Sequence, residues 1–470
     1  MKFVKDAAPV AALVCSLMVV TFLAGTLTAH FQVFPYPSIR DAGRTLKALV
    51  GAATTSMEDL VAGAEISSVP ISDLVASRWK VVADDAARLP VIVTGGRYHY
   101  VEECPGDGCL ALVYNGEGEV TNTWPYRPDK IYESDITGGA FQHEAVLFDP
   151  RMSVYPVSTE PYENGDLLVT FQSIGPVFPF GVGIARVKPD GTPRWTRRDF
   201  THHWATLGKN GDALVPGLRV GDANVQVTLG PEARSVTHML ECRGGRPQLD
   251  LVQVVGPDGD LLDTIDLIPL MLESPWAGVV LETTDPCDPL HLNFVDQARP
   301  GAAGGLDQGD LILSLRNVSR FAILDGETGE IERIVGGSFL QQHSVQHLSG
   351  SKVLIFDNRG GDRDAGPSRI MEYDLATGRE RQIFPTPHTP EPYDSIFSDV
   401  GGYLSISPDR QRVMATFSDA GITAEVEISS GRLLSVYEHL HDISSIPGAP
   451  EGAQKYAARA KAAGVSYLDR

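Results

Sequence analysis

The feature that most constrains the fold of this chain is a hairpin that recurs along its length. Each copy has a polar turn ending in Gly, with apolar or β-branched residues on both sides, which is the pattern of two antiparallel strands joined tightly. Successive tips lie roughly 50 to 75 residues apart, as expected for copies of one supersecondary unit. The tips are centred near Gly116, Gly191, Gly259, Gly326, Gly378 and Gly431.

A strand introduced by a polar turn alternates with these hairpins. It reads NGDLLVTF from Asn164, NGDALV from Asn210, QGDLILSL from Gln308, GSKVLIF from Gly350 and DRQRVMAT from Asp409. This alternation is typical of four-stranded blades arranged radially, which leaves no long sheet edge exposed. We therefore predict an all-β fold, a six-bladed β-propeller over residues 90–445. A pair of β-sandwiches is the alternative, and it explains the strands and turns but not their alternation.

The N-terminal region predicts the compartment. Lys2 and Lys5 precede a run from Ala7 to Ala29 that has no charged residue and is long enough to cross a bilayer as a helix. This favours a transmembrane anchor within residues 1–30, with a cleaved signal peptide as the competing interpretation. The positive-inside rule then places the body on the extracytoplasmic side of the membrane, in a bacterium the periplasm.

Two further segments differ from the predicted blades. Residues 31–89 contain helical patterns such as IRDAGRTLKALVGAA and few β-branched clusters, so we expect a spacer of short helices. Residues 446–470 are rich in Ala, and EGAQKYAARAKAAG predicts a C-terminal helical tail.

The charge balance limits the partners of the protein. The sequence has 39 Lys and Arg against 60 Asp and Glu, a formal net charge of −21. It offers no basic face for phosphate groups, so we expect no nucleic-acid partner. An acidic surface also repels anionic ligands, so a site for an anion must be locally cationic.

Four of the five cysteines lie in the predicted extracytoplasmic body, where disulfides persist. Cys104 and Cys109 flank a Pro-Gly-Asp-Gly turn, which predicts a disulfide between them. Cys242 and Cys287 are a second candidate pair. A zinc site is the weaker alternative, because no Cys-X-X-Cys spacing occurs.

Histidines recur at the start of the predicted innermost strands. They are His143 in FQHEAV, His202 and His203 in FTHHWATL, His291 in DPLHLNF and His343 in QQHSVQHL. Equivalent positions of successive repeats converge on the axis of a propeller, which favours a shared site. A single buried histidine is more often a hydrogen-bonded core residue, so a structural role is the alternative. We assign substrate binding to His143.

Polar residues near these histidines provide the cationic site that an anion needs. Arg316, Arg359 and Arg369 are predicted to bind the substrate, because guanidinium groups hold oxyanions in a bidentate geometry. Asn358 follows the apolar run VLIF and is predicted to orient one of these groups or to close the strand with an Asx turn.

Several segments bring a known family to mind. TPRWTRRDFTHHW, DPLHLNFVD, GDLILSLRNVSRFAILDGETGEI, QQHSVQHLSGSKVLIFDNRG and SRIMEYDLATG resemble, in order and spacing, the arylsulfotransferases that use no nucleotide sulfate donor. The resemblance covers roughly Trp195 to Tyr373. It implies a six-bladed periplasmic propeller that transfers a sulfuryl group from a phenolic sulfate ester to a phenol through a histidine-linked intermediate. It also implies that His291 and His343 bind sulfate oxygens or shuttle protons, and that Arg363 or Arg359 binds the anion.

One stretch departs from the pattern of the family. The resemblance implies that the histidine which accepts the sulfuryl group follows a Gly-Gly pair in the next blade. The corresponding stretch, DVGGYLSISPD, has Ser405 or Tyr403 at that place. His203 is then a candidate for the missing nucleophile.

Two other functions stay open from the sequence. A membrane-anchored propeller that binds a ligand or a protein partner without catalysis is the main alternative. A metal site is chemically feasible, since imidazole suits zinc or copper, but it ranks last because no His-Glu-X-X-His signature occurs. The sequence predicts a small phenolic or aryl sulfate ligand and neither a metal nor an organic cofactor.

Overall fold

The fold of the protein is mostly β. A computed structural model describes residues 16, 21, 64–83, 88–101, 103–104, 106–132, 154–173, 181–208, 210–221, 224–228, 235–239, 242, 247–283, 285–446 and 448–468. Apart from residues 16 and 21, the predicted anchor over residues 1–30 lies outside the described residues, and so does His143. Across the described ranges, no helix is long and apolar enough to span a membrane.

Strands follow one another along the whole described chain. The first half contains β1 (Glu65–Pro70), β2 (Trp79–Val81), β3 (Val91–Thr94), β4 (Cys109–Tyr114), β5 (Val120–Pro125), β6 (Val154–Pro161), β7 (Leu167–Ser173), β8 (Gly181–Val187), β9 (Pro193–Arg197), β10 (Thr206–Leu207), β11 (Ala213–Val220), β12 (Asn224–Thr228), β13 (Ser235–Met239), β14 (Gln248–Val255) and β15 (Leu261–Asp266). The second half contains β16 (Leu292–Gln297), β17 (Leu311–Leu315), β18 (Arg320–Leu324), β19 (Ile331–Val335), β20 (His343–Ser349), β21 (Lys352–Asp357), β22 (Arg369–Asp374), β23 (Arg379–Phe384), β24 (Tyr403–Ile406), β25 (Arg412–Phe417), β26 (Ile422–Glu427), β27 (Leu433–Glu438), β28 (Leu440–His441), β29 (Tyr456–Arg459) and β30 (Val465–Tyr467).

Helices are short in the described residues. The α-helices are Leu74–Ser77, Pro128–Ile131, Leu267–Glu273 and Ala277–Leu281. The 3-10 helices are Ile71–Asp73, Gly96–Val101, Arg316–Val318, Arg359–Gly361, Arg363–Ala365 and Tyr393–Ser395.

Within the described chain, six antiparallel sheets have four or five strands each. Sheet 1 has the order β30-β3-β4-β5, sheet 2 β6-β7-β8-β9 and sheet 3 β10-β11-β14-β15. Sheet 4 has the order β16-β17-β18-β19, sheet 5 β20-β21-β22-β23 and sheet 6 β24-β25-β26-β27-β2. Two smaller sheets, β1-β29-β28 and β12-β13, lie beside them.

The two recurring sequence elements occupy fixed places in these sheets. Each predicted Gly tip joins the last two strands that follow one another directly in its sheet, such as β8 and β9 around Gly191. Gly191 has φ +79°, and a Cβ at this position would collide with the backbone carbonyl of Pro125 in sheet 1. The turn-led strands are β7, β11, β17, β21 and β25, the second strand of sheets 2 to 6. The predicted alternation is confirmed.

The inner strands of neighbouring sheets contact one another in sequence. Contacts join β3 to β6, β11 to β16, β16 to β20, β20 to β24, and β24 to β30. Sheets 2 and 3 are joined where the backbone N–H of Ala205 donates to Oγ of Ser158 at 3.1 Å. Apolar side chains fill the space between sheets, for example where Leu354 and Phe356 pack with Leu404 and Val413.

The ends of the described chain correct two predictions. The predicted helical tail over residues 446–470 is wrong: β29 pairs with β1, and β30 pairs with β3. The described part of the predicted spacer, residues 31–89, has the short helices Ile71–Asp73 and Leu74–Ser77 but also β1 and β2, and β2 forms the fifth strand of sheet 6 by pairing with β27. Open sheet edges offer unpaired backbone groups, and pairing with them outweighs the modest helix preference of an Ala-rich segment.

Two disulfides are present. The predicted bond between Cys104 and Cys109 is confirmed, with Cα atoms 5.2 Å apart. Cys242 and Cys287 form the other, with Cα atoms 4.5 Å apart.

Candidate functional site

A cavity of about 350 Å³ lies among the inner strands. Residues in or next to all six large sheets contribute to its wall. Its histidines and cations are His203, His291, His343, Arg97, Arg316 and Lys461. The sequence had placed four of these six at a shared site.

Three histidines reach the cavity from matching places in three successive sheets. His343 is the first residue of β20, β16 begins directly after His291, and His203 lies shortly before β10. The ring centroid of His203 is 5.2 Å from that of His291 and 6.2 Å from that of His343. The repeat thus brings the three imidazoles into contact, as the sequence pattern indicates.

His343 is held by an amide. Its Nδ1 lies 2.7 Å from Oδ1 of Asn358, whose Nδ2 donates to the carbonyls of Ser398 at 3.0 Å and Gly401 at 2.7 Å. Because both amide hydrogens are used in this way, the amide oxygen faces His343 and Nδ1 carries the imidazole proton. Burial, and next the charge of Arg316, lower the pKa of His343 to about 3. The ring is therefore neutral, with a lone pair on Nε2.

His291 is held by a carboxylate instead. Its Nδ1 lies 2.5 Å from Oδ2 of Asp288. Although burial opposes ionisation of Asp288, the charge of His291 and this hydrogen bond bring the pKa of Asp288 below its usual range. A carboxylate at Nδ1 orients the ring and stabilises the imidazolium that forms when Nε2 takes up a proton. Burial and the neighbouring Asp288 raise the pKa of a further carboxyl, that of Asp250, to about 7.

His203 accepts hydrogen bonds at Nδ1. The hydroxyl of Tyr155 donates to Oε1 of Gln172 at 3.1 Å, so Nε2 of Gln172 faces Nδ1 of His203, at 3.4 Å. Nδ1 of the buried His202 lies 2.6 Å from Nδ1 of His203. With Nδ1 as the acceptor, the proton of His203 lies on Nε2. Burial and the charges of His202 and His291 lower the pKa of His203 well below its usual range, so the ring is neutral.

The backbone at two of these histidines is strained. His203 has φ +55° and His291 has φ +54°, a left-handed conformation that costs L-residues of the order of 1 kcal/mol. Asp250 accepts the backbone N–H groups of His291 at 3.0 Å and Leu292 at 2.9 Å, and Oγ1 of Thr170 donates to the carbonyl of His203 at 2.6 Å. These bonds hold both rings in place at the cavity, as expected where strain serves a site.

Two arginines in the cavity wall lack carboxylate partners within ion-pair distance in the described chain. Arg316 donates to the neutral side chains of Asn317 at 2.8 Å and Gln341 at 3.2 Å. Burial lowers the pKa of Arg316, although an arginine stays charged at neutral pH. The guanidinium of Arg97 lies 5.5 Å from the ring centroid of Tyr155. These two cations give an acidic protein a local site for anions.

An aromatic cluster adjoins the histidines. Trp204 stacks on Tyr403 with ring centroids 5.2 Å apart, and Phe294 lies 6.2 Å from Tyr403. All three side chains are buried, and Trp204 lines the cavity. Their sheets are different ones, so the cluster ties the inner strands together beside the site.

The structure places the other predicted arginines elsewhere. Nε of Arg369 is 2.6 Å from Oδ2 of the fully buried Asp357, a structural ion pair. Arg359 donates to the backbone carbonyl of Ala365, and the guanidinium of Arg363 stands 5.0 Å from the ring centroid of Phe397. The cavity wall includes none of these three arginines. Asn358 does reach the site, through its contact with His343.

The stretch where the family resemblance implies a nucleophilic histidine has a structural role here. Oγ of Ser405 accepts the backbone N–H of Tyr467 at 3.0 Å, which joins β24 to β30. Tyr403 belongs to the aromatic cluster, and its hydroxyl accepts from Ser466 at 3.1 Å. Neither side chain belongs to the cavity wall.

Sequence reasoning missed several residues of the site. Asp288 stands three residues before His291, and an acidic residue at this spacing was a local signal that went unused. Arg97 and Lys461 come from sheet 1, where no repeated motif marks them. His202 was among the recurring histidines of the sequence, but its contact with His203, and that of Gln172, is revealed only by the packing. Among the described residues, no group of three or more His, Cys, Asp or Glu side chains is arranged to hold a metal ion.

The antiparallel sheets and the cavity define a class of protein, a mostly β fold with a histidine-lined pocket among its inner strands. Residues 260–427 match the family model described as Arylsulfotransferase (ASST), which confirms the resemblance stated from the sequence and supports an arylsulfotransferase-like function at the level of the family. The match covers β15 to β26 and so includes His291, Arg316 and His343. Among curated proteins, no significant match to the chain is found.

Several solved structures are similar to this chain. Virginiamycin B lyase from Staphylococcus aureus is 10% identical, with a TM-score of 0.31 over 60% of this chain and 83% of that chain. A putative 6-phosphogluconolactonase from Bacteroides fragilis NCTC 9343 is 10% identical, with a TM-score of 0.38 over 82% of this chain and 99% of that chain. A second putative 6-phosphogluconolactonase, from Bacteroides uniformis ATCC 8492, is 10% identical, with a TM-score of 0.39 over 82% of this chain and 100% of that chain.

Proposed function

We propose that this protein is a sulfotransferase that moves a sulfuryl group from a phenolic sulfate ester to a phenol, in the cavity of a six-bladed β-propeller. The observation that carries the proposal is the bonding of His343. Asn358 fixes its proton on Nδ1, and burial keeps the ring neutral, which leaves Nε2 as a nucleophile of defined tautomer. The six successive large sheets and their contacts support the propeller.

The first half of the reaction loads the histidine. The lone pair on Nε2 of His343 attacks the ester sulfur in line with the bond to the phenolic oxygen. As the new S–N bond forms, the S–O bond breaks and its electrons pass to the phenolate oxygen. His291, held by Asp288, donates the proton that this oxygen takes up, so a neutral phenol leaves.

The second half reverses these steps with the acceptor. The acceptor phenol gives its proton to His291 as its oxygen attacks the sulfur. The S–N bond breaks, and its electrons return to Nε2 of His343. A single acid-base group serves both halves because the proton of the acceptor phenol replaces the one that left with the donor's phenol.

Two groups are placed to stabilise the charge that develops on the sulfuryl oxygens. Arg316, next to His343, is a cation without a carboxylate partner within ion-pair distance among the described residues. His203 carries its proton on Nε2 and so offers a donor to an oxygen. Fixed donors in a buried site act strongly because they need no reorganisation during the reaction.

The test is turnover of 4-nitrophenyl sulfate by the purified full-length protein, with and without phenol as acceptor. We expect 4-nitrophenol release that depends on phenol, together with phenyl sulfate as product. Peptide mass spectrometry of enzyme quenched with donor alone should show one added SO₃ group on the peptide that contains His343. Absence of turnover with several aryl sulfates would contradict the proposal.

A propeller that binds an aryl sulfate without transferring its sulfuryl group is the second candidate. The observation that favours it is Ser405, which stands where the family resemblance implies the accepting histidine and is bonded to the backbone of Tyr467. In that case calorimetry would detect binding of 4-nitrophenyl sulfate, and no phenol would be released.

We further propose that the protein is anchored in a membrane by residues 1–30, with the propeller on the extracytoplasmic side. The uncharged run from Ala7 to Ala29 behind two lysines supports the anchor. The two disulfides are consistent with an oxidising compartment. Membrane fractionation, followed by protease treatment of intact cells or spheroplasts, tests both points.

A further inference from the structure

Arg97 is a cation that the proposed reaction does not use. It follows β3 in sheet 1, within the 3-10 helix Gly96–Val101, whereas Arg316 follows β17 in sheet 4. In the order in which the sheets contact one another, sheets 1 and 4 are separated by two sheets on either side. The two guanidinium groups therefore enter the cavity from opposite walls.

Arg97 has no carboxylate within ion-pair distance in the described chain. The contrast with its neighbour is direct, because Nζ of Lys461 in the same wall lies 2.5 Å from Oδ1 of Asp419. Acidic side chains outnumber basic ones in this protein, so a half-buried arginine without one is unusual. A partly desolvated cation is costly unless an anion pairs with it. An anionic group of the ligand would supply that partner.

The wall between the two cations suits an aromatic ring. Tyr155, Val157, Trp204 and Val400 also line the cavity that holds both cations. Tyr155 is fixed by its hydrogen bond to Gln172 and holds Arg97 over its ring. A second anionic group, carried across an aromatic ring from the sulfate at His343 and Arg316, can bond to the guanidinium of Arg97 on the opposite wall.

Building on the proposed sulfuryl transfer, we propose that the substrates are phenols and aryl sulfates which carry a second anionic group, and that Arg97 binds this group. A carboxylate, a sulfonate or a phosphate offers the bidentate oxygens that a guanidinium holds. The reaction extends the requirement to both substrates. Because one histidine carries the sulfuryl group, the acceptor phenol must occupy the place that the donor's phenol has left, so Arg97 selects donor and acceptor alike.

The test uses two donors that differ chiefly in charge, 4-carboxyphenyl sulfate and its methyl ester, and the ratio in Arg97→Gln corrects for their different leaving groups. We expect kcat/KM of the full-length protein to favour the carboxylate by about tenfold or more, the effect of one charge-assisted pair. In Arg97→Gln the ratio should fall towards one, and Arg97→Lys should keep part of it. Arg379→Gln, an exposed arginine of sheet 5 outside the cavity, is the matched control and should keep the full ratio.

Two outcomes overturn the inference while the proposed function stands: equal kcat/KM for the acid and the ester, or a preference that persists in Arg97→Gln. If neither donor is turned over, the proposed function fails, and calorimetry with the same pair of sulfates still decides about Arg97. Tighter binding of the carboxylate that disappears in Arg97→Gln supports the inference. An affinity for the carboxylate that is equal in wild type and in Arg97→Gln contradicts the inference.

Discussion

His343 and His291 stand at matching places in adjacent sheets, yet their Nδ1 atoms contact different functional groups. Nδ1 of His343 faces the amide of Asn358, and Nδ1 of His291 faces the carboxylate of Asp288. Both partners fix the ring proton on Nδ1, so the lone pair of the neutral imidazole lies on Nε2. Only the carboxylate also stabilises a positive ring. On the proposed mechanism, this difference suits His343 as the neutral nucleophile and His291 as the proton carrier.

The largest expected effect is the loss of the nucleophile. His343→Ala should lower kcat/KM for 4-nitrophenyl sulfate by about 10⁴-fold or more, as found when a covalent nucleophile is removed. His343→Gly with added imidazole should recover part of the turnover, because imidazole can fill the space and attack sulfur. The exposed His388 provides the control, since His388→Ala should be indistinguishable from wild type. Full activity of His343→Ala would move the nucleophile to His291 or His203.

A smaller effect is expected at the proton carrier. Asp288→Asn keeps the shape of the side chain but removes the charge that supports the imidazolium of His291. We expect kcat/KM to fall by about 10²- to 10³-fold with phenyl sulfate, because its phenolate is a poor leaving group that needs the proton. With 4-nitrophenyl sulfate, whose phenolate leaves unaided, the loss should be clearly smaller. Equal losses with both donors would show that Asp288 does not act through proton transfer.

One substitution can also remove the difference between the two histidines. Asn358→Asp gives His343 the partner that His291 has, and a nearby negative charge raises the pKa of an imidazole. The raised pKa makes His343 protonated, and not nucleophilic, as pH falls. The kcat/KM of Asn358→Asp should therefore fall towards acidic pH over a range in which that of wild type does not. At neutral pH it should be about tenfold below that of wild type. The carboxylate also faces the carbonyls of Ser398 and Gly401, so urea unfolding must confirm a folded variant at each pH.

The smallest expected effect concerns stability in acid. The pKa values of His343 and His202 are about 3 in the folded protein, against about 6.5 when unfolded. The unfolded state therefore binds more protons between these values, so stability is lost as pH falls from about 6.5 towards 3. In His343→Gln, the free energy of unfolding should change less steeply with pH, by up to about 1.4 kcal/mol per pH unit. The slope in His388→Gln should equal that of wild type.

Local features of the sequence predicted most of the sheets. The turn-led strands and Gly-tipped hairpins depend on residues a few positions apart, so they can be recognised without knowledge of the rest of the chain. The pairing of β30 with β3, and of β2 with β27, depends on edges far away in the sequence. This is why residues 446–470 were predicted as a helix.

The site residues were likewise predicted where the sequence carries a local signal and missed where distant packing decides. The repeat placed His203, His291 and His343 at one cavity, because equivalent positions of repeats converge. It gave no information on which side chain each arginine meets. Arg369 pairs with the buried Asp357, while Arg316 meets only amides, although each lies at the end of an apolar strand in the sequence. That difference depends on which carboxylates the packed neighbours provide.

The strand β30 and the residues just before it have a consequence for biosynthesis. Lys461, Ala462 and Ala463 form part of the cavity wall beside Arg97, while the histidines come from the middle of the chain. A ribosome must therefore pass residue 467 before the pocket exists, however early the central sheets have folded. A nascent chain, or one cleaved upstream of residue 461, would expose Arg97 and the three imidazoles to water and would lack the enclosure in which they work.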